Sequence, residues 1–248
     1  MTQKTESTDI YKEYFNSSPR NRVNATIMLS SEKDTSFCFP VPDILESDGV
    51  KLVPFIPAKI ASTLFQGLTT TPSLLQFLSI GPYTSAEELV LDFWDNRLKP
   101  NPAATLFVIY DKTQPNPDTE AAGFIALIYT SAPDLLTEIG YVVIFKAYQR
   151  THVSSNAVGL LMRYALDLPD QGGLGLRRVQ WKANKWNEAS LALALKMGFV
   201  KEGMMRWCTV INKGNGKEVG NNGERERKGD PREGCGSRDT VILAVCWG

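Results

Sequence analysis

The sequence predicts an α/β protein of the α+β kind, a mixed sheet covered by helices. Apolar runs of strand length alternate with helical patterns in the order β-α-α-β-β-β-α-β-α-β-β. Two of the strands, near 138–145 and 177–183, each run directly into a helix start. An apolar fraction of 43% and a charged fraction of 22% over 248 residues complete the picture of a globular chain long enough for a full core.

Residues 1–48 are rich in Ser, Thr, Asn, Lys and Glu and read as a flexible arm, with FCFPVP at 37–42 as an extended segment laid on the domain of residues 49–248. Val50 to Phe55 reads as a short strand. Pro57 opens a helix at its first position, where no N–H is needed, and Ile60, Ala61, Leu64, Phe65 and Leu68 share one face. A second helix begins at Thr84 or Ser85, with Thr84-x-x-Glu87 as a capping box and Ala86, Leu89, Val90, Phe93 and Trp94 as its stripe. Three strands follow: AATLFVIYD from Ala103, GFIALIYT from Gly123 and EIGYVVIF from Glu138. The third helix carries Ala157, Leu160, Leu161, Tyr164, Ala165 and Leu168 at the helical period. RRVQWKA at 177–183 is the next strand. Asn187 caps a short helix that buries Ser190, Leu193, Ala194 and Met197, and Gly198 ends it in the left-handed conformation. Strands near 203–211 and 240–247 pair as a hairpin around 212–238, whose glycines and dense mixed charge read as a flexible loop.

Charge and cysteine usage exclude several functions. Twenty-seven basic residues balance 27 acidic ones, so no overall positive field draws the chain to nucleic acid or to an anionic membrane. The opening MTQKTESTDIYKEYF lacks an apolar core behind a basic end, and no apolar run is long enough to span a bilayer; a cytoplasmic protein is expected. Cys38, Cys208, Cys235 and Cys246 show no CxxC spacing and the single histidine, His152, does not complete a zinc site with them, so no metal is expected.

The stretch best suited to a ligand is YQRTHVSSNA, Tyr148 to Ala157. N–H groups in the first turn of a helix point outward together at the positive end of its dipole. Gln149, Arg150, Thr151, His152, Val153, Ser154 and Ser155 present consecutive N–H groups with hydroxyls and a guanidinium nearby, a set that suits a pyrophosphate. Read alone, the segment is equally a serine-capped helix start that binds nothing. The second strand-to-helix unit, through Ala183-Asn184 into the Asn187 cap, adds weight. Two neighbouring strands that each feed a helix can splay apart, and an extended ligand can pair with the N–H groups exposed in the gap.

Glu138-Ile139-Gly140-Tyr141, Tyr148-Gln149 with Ser154-Ser155-Asn156-Ala157, Arg177-Arg178-Val179, Asn187-x-x-Ser190, and Lys196-x-Gly198-Phe199 with Glu202-Gly203 form an ordered series. This series resembles the GCN5-related N-acetyltransferases (GNAT), in particular the RimJ/RimL-like branch, which Leu52-x-Pro54 and Gly81-Pro82 also fit. The resemblance covers about residues 50–211 and the last strand. It implies a twisted, mostly antiparallel sheet of about seven strands with a splay between its two central parallel strands. It also implies acetyl-CoA as cosubstrate and direct acetyl transfer to a primary amine, with no metal. A monomer or homodimer is expected. The acceptor is a small-molecule amine, which the apolar Phe55, Phe65, Phe77, Tyr83 and Phe93 of the covering region favour, or a peptide N-terminus as in RimJ/RimL. A third reading, motivated by His152 and Ala194, is a non-catalytic CoA-binding module.

The family's phosphate signature, Gln/Arg-x-x-Gly-x-Gly/Ala, falls on Gln149 to Ser154. His152 stands at the first glycine and Ser154 at the second small position, so the resemblance puts the imidazole over the phosphates. It also implies that a bulge turns the backbone N–H groups of Val142, Val143 and Ile144 toward the thioester oxygen, with Gly140 easing the distortion. Each such donor can lower the barrier by about 3 kcal/mol. Glu138 is the candidate base, acting through water, with a plain strand-end carboxylate as the alternative. The position usual for a tyrosine acid holds Ala194, which leaves Ser190 to serve the departing thiolate, or else to bond its own backbone. Asn187 contacts the CoA arm, although capping alone explains it.

Overall fold

The computed structural model describes residues 24–26, 36–116, 120–211 and 228–247; most of the arm expected over 1–48, and residues 212–227 of the expected loop, lie outside them. Among the described residues the strands are β1 (Asn24–Thr26), β2 (Ile44–Glu46), β3 (Val50–Pro54), β4 (Thr105–Asp111), β5 (Ala121–Ser131), β6 (Leu136–Ile144), β7 (Arg178–Asn184), β8 (Val200–Ile211) and β9 (Gly236–Cys246). They form one sheet in the order β1-β2-β3-β4-β5-β6-β7-β9-β8. Every neighbouring pair is antiparallel except β6 and β7, which are parallel. The helices are α1 (Pro57–Thr69), α2 (Ala86–Leu89, continuing in wider π turns over Val90–Leu98), α3 (Val153–Leu166) and α4 (Glu188–Lys196).

The core has two halves because the central strands are apolar on both faces. In β4 every residue is buried, so alternate side chains serve opposite layers. Leu106 and Val108 meet Leu64, Leu89, Phe93 and Trp94 of α1 and α2 on one face. Phe107 and Ile109 belong with Val158, Leu161 and Ala165 of α3 on the other. Phe37 and Val41 of the FCFPVP segment are buried in this second half.

Several local details differ from the sequence reading. The sheet continues beyond Val50 into β2 and β1, strands of three residues that are too short to show an alternating pattern. The second helix is capped by Ser85, which accepts from Glu88 N at 3.1 Å, while the Glu88 carboxylate bonds Thr84 N at 2.6 Å; the capping box is one residue later than expected. Leu168 lies past the end of α3 and is exposed. Phe55 and, on α2 itself, Phe93 are buried core residues of the covering region.

The feature that positions the site is the divergence of β6 and β7. Their parallel pairing runs only from Leu136↔Arg178 to Glu138↔Gln180. Beyond it β6 pairs with β5 alone, and β7 follows β9 as far as Asn184↔Thr240. A wedge-shaped gap opens between Ile139–Ile144 and Trp181–Asn184.

Candidate active site

One wall of the gap is a bulge in β6. Phe124 of β5 faces Val143 while Ala126 faces Gly140, so β6 carries one residue more than β5 across this stretch. Tyr141 takes up the distortion at φ 47°, and Val142 has no register partner on either neighbouring strand. Gly140 is needed for a different reason from the one its position suggests. A Cβ there would lie 2.4 Å from Ile128 Cδ1. On β5, Gly123 (φ 152°) admits the close approach of the bulge, since a Cβ would stand 2.0 Å from Val143 O.

The loop from β6 to α3 forms the mouth of the gap. Gln149 Nε2 donates to Ile144 O at 3.0 Å, tying the loop to the strand end, and Arg150 is left-handed at φ 61°. Alternation of left- and right-handed residues turns successive N–H groups to one side. The first i→i−4 bond of α3 runs from Asn156 N to His152 O, so the helix itself provides no acceptor for Ser154 N and Ser155 N. Of the other expected donors, Gln149 N is spent on Lys146 O and Val153 N on Thr151 Oγ1.

Whether a pyrophosphate fits here turns on His152, which stands where the family has glycine. Its imidazole turns away from the gap and lies between Asp111 Oδ1 (3.2 Å) and Gly49 O (3.3 Å). Asn156 Nδ2 holds the His152 carbonyl, and Ser47 Oγ in turn donates to Asn156 Oδ1 at 3.0 Å. The imidazole thus faces Asp111 and Gly49 and does not line the cleft within the gap. Burial alone would raise the Asp111 carboxyl, yet hydrogen bonds from Thr113 and Gln114, with His152 beside it, hold it below its ordinary value.

The gap contains a cleft of about 480 Å³ lined by Val142, Val143, Ile144, Gln149, Arg150, Ser154, Asn187 and Ser190 among others. These eight belong to the predicted set. Thr151, His152, Val153 and Ser155 do not line it: the Thr151 hydroxyl folds back on Tyr148 O, and Val153 and Ser155 are buried. Lys146, Phe77 and Trp181 line it and were not singled out as site residues in the sequence. Among the described residues the charged side chains on the lining are Lys146 and Arg150, which suits a polyanion.

Trp181 and Ser190 form one unit. The buried indole Nε1 donates to Ser190 Oγ at 3.0 Å, while Asn187 Oδ1 accepts from Ser190 N at 3.1 Å and caps α4. Accepting from Trp181 leaves the Ser190 hydroxyl proton available to a second acceptor.

A smaller cavity of about 50 Å³ continues behind the cleft, sharing Phe77, Val142, Trp181, Asn187 and Ser190 with it and adding Tyr141, Lys182 and Arg238. Glu138 lines neither space. It is buried beside them, bound to Lys182 Nζ at 2.9 Å and to Gln180 Nε2 at 3.2 Å. Burial raises its carboxyl above the ordinary value against the opposing pull of Lys182 and Gln180.

The site is thus a cleft with Lys146 and Arg150 on its lining, bordered by the bulge of β6 and adjoined by a smaller cavity. Residues 50–200 match the family model described as an acetyltransferase (GNAT) domain, and the chain belongs to the GNAT acetyltransferase family. Among solved structures it is similar to a probable GNAT-family acetyltransferase from Chromobacterium violaceum (23% identity, 90% of this chain and 94% of that one, TM-score 0.64). It is similar as well to a GCN5-related N-acetyltransferase from Brucella melitensis (21%, 90% and 82%, TM-score 0.64). A third is an acetyl transferase from Salmonella typhimurium described as modifying the N-terminal serine of the 50S ribosomal subunit protein L7/L12 (19%, 81% and 96%, TM-score 0.56). A comparison with curated protein sequences gave no significant match. Among the described residues no helix is long and apolar enough to cross a membrane, and no group of three or more His, Cys, Asp or Glu is placed to hold a metal ion.

Proposed function

We propose that this acetyltransferase moves the acetyl group of acetyl-CoA to the primary amine of a small molecule. The observation that carries the reading is the junction of the two cavities at Val142, Trp181 and Ser190, with a cationic mouth on one side and only about 50 Å³ on the other. Acetyl-CoA, when bound, supplies the thioester. Lys146, Arg150 and the N–H groups of the loop and first turn of α3 would hold its phosphates, and Asn187 its arm. The main chain at Val142–Ile144 would face the thioester oxygen, where donors stabilise developing negative charge.

The acceptor nitrogen forms the new C–N bond as the C–S bond breaks. Its proton passes through water to Glu138, whose raised pKa makes it a better base near neutral pH than an ordinary carboxylate. The Ser190 hydroxyl, oriented by Trp181, donates to the departing sulfur.

Thiol release from acetyl-CoA across small amines and serine-initiated peptides tests the proposal. Small amines should turn over and peptides should not. Turnover of peptides alone would assign the acceptor to a protein N-terminus, as described for the Salmonella enzyme.

A further inference from the structure

Arg238 plays no part in the transfer chemistry, yet its side chain lines the small cavity behind the cleft. It is half-buried on β9. Its Nη1 donates to Phe77 O at 2.9 Å and its Nε to Thr240 Oγ1 at 3.2 Å, both neutral acceptors. The remaining N–H groups, on Nη2 and the second on Nη1, form the end of the guanidinium fork and engage no described residue. The carboxylate that acts on it through space, Glu138, is committed to Lys182 and Gln180, and the neighbouring Asp239 to Lys185 Nζ at 2.7 Å. Lys182 and Arg238 against Glu138 leave one positive charge at this spot. A half-buried guanidinium without a carboxylate of its own among the described residues is costly to keep.

The backbone around it is distorted as well. Tyr129 (φ 49°), Tyr141 (φ 47°) and Trp207 (φ 54°) are left-handed non-glycine residues, and each stands where the register of β5, β6 or β8 shifts. Tyr141 lines the cavity, the Tyr129 ring lies 4.4 Å from Lys182 Nζ, and Trp207 N donates to Asp239 Oδ1 at 3.0 Å, next to Arg238 in the chain. Bulges of this kind re-aim side chains beside binding sites.

We propose that Arg238 receives a carboxylate of the acceptor, so that the amine acetylated here carries an acid only a few bonds from its nitrogen, as an amino acid does. This rests on the acetyl-transfer reading above. The planar fork matches a carboxylate in two parallel hydrogen bonds, and the small cavity touches Arg238 at one end and Ser190 and Val142 at the other. An acceptor whose acid lay far from its amine would not span it.

The test is calorimetry on protein saturated with CoA, using N-acetylglycine, N-acetylalanine and N-acetylserine as product probes, each against its amide. The acid of at least one pair should bind about tenfold to a hundredfold more tightly than its amide, and Arg238→Gln should abolish the difference. Arg238→Lys keeps the charge, loses the fork and should retain only part of it. Amides that bind as well as every acid in the wild-type protein, or a preference that survives in Arg238→Gln, would overturn the proposal. The heat of CoA binding, recorded first in the same cell, reports separately on the acetyl-transfer reading.

Discussion

Ser190 is held in place by two hydrogen bonds, one accepted from Trp181 on β7 and one donated by its N–H to Asn187 at the start of α4, and its role can be separated from theirs. Ser190→Ala should lower kcat about tenfold to a hundredfold and leave acetyl-CoA affinity unchanged, as judged by steady-state kinetics and calorimetry. Trp181→Phe keeps the packing on Phe199 (ring centres 5.5 Å apart) but removes the N–H. It should lower kcat less than Ser190→Ala, and should have no further effect in that background. The spacing Asn187-x-x-Ser190 made the serine legible, whereas its contact with Trp181 joins a strand to a helix and leaves no mark in local sequence. Glu138 was legible by position, but not its ion pair. Burial raises its pKa and Lys182 pulls it down, so Lys182→Met should push it further up and move the acid limb of the kcat-pH profile to higher pH. Glu138→Gln should remove that limb together with most of the activity. His152 was misplaced because a glycine signature says nothing about where a replacement side chain turns. His152→Ala should leave acetyl-CoA affinity within about twofold, while removing part of the stability that the lowered Asp111 carboxyl contributes above its ordinary pKa. The Asp111 carboxyl lies below its ordinary value of 3.8, so its contribution is present above that pH and lost as pH falls through the folded value. Asp111→Asn should therefore flatten the acid side of a stability-pH curve measured by denaturant unfolding.

At the scale of elements, the bulge of β6 depends on the strand beside it. The family resemblance carried the expectation of a bulge, and composition then pointed to Gly140 as the residue that eases it. Tyr141 takes the positive φ instead, and the glycine that permits the approach is Gly123 on β5. A distortion shared by two strands cannot be read from either alone. Gly123→Ala would place a Cβ 2.0 Å from Val143 O at φ 152°. It should destabilise the protein by about 2 kcal/mol or more, seen as a lower denaturation midpoint with an unchanged slope. The buried strands and the helix starts after Phe55 and Trp186 were readable because each rests on a local signal: an apolar run, a proline at the first position, or a side-chain cap. The start of α3 at Val153 has no side-chain cap from His152, so the serine cap the sequence suggested is not formed. The wide turns of α2 have no such signal, and the short strands β1 and β2 exist only through pairing with β3.

At the scale of the molecule, zero net charge conceals a local field. Lys146 and Arg150 are the charged side chains among the described residues that line the 480 Å³ cleft, so affinity for acetyl-CoA should fall as salt rises. The double variant Lys146→Ala/Arg150→Ala should weaken it about tenfold and reduce that salt dependence. The splay of β6 and β7 was anticipated from two strands each feeding a helix, and the cleft lies in it. The small cavity behind was not anticipated, because Arg238, Lys182 and Tyr141 come from three strands that only the assembled sheet brings together. The most direct test of the central claim, that the gap between β6 and β7 is an acetyl-CoA site, is calorimetric titration of the full-length protein with acetyl-CoA. Saturable one-to-one binding that weakens in Lys146→Ala/Arg150→Ala and persists in His152→Ala is the predicted result; no binding at millimolar acetyl-CoA would contradict it.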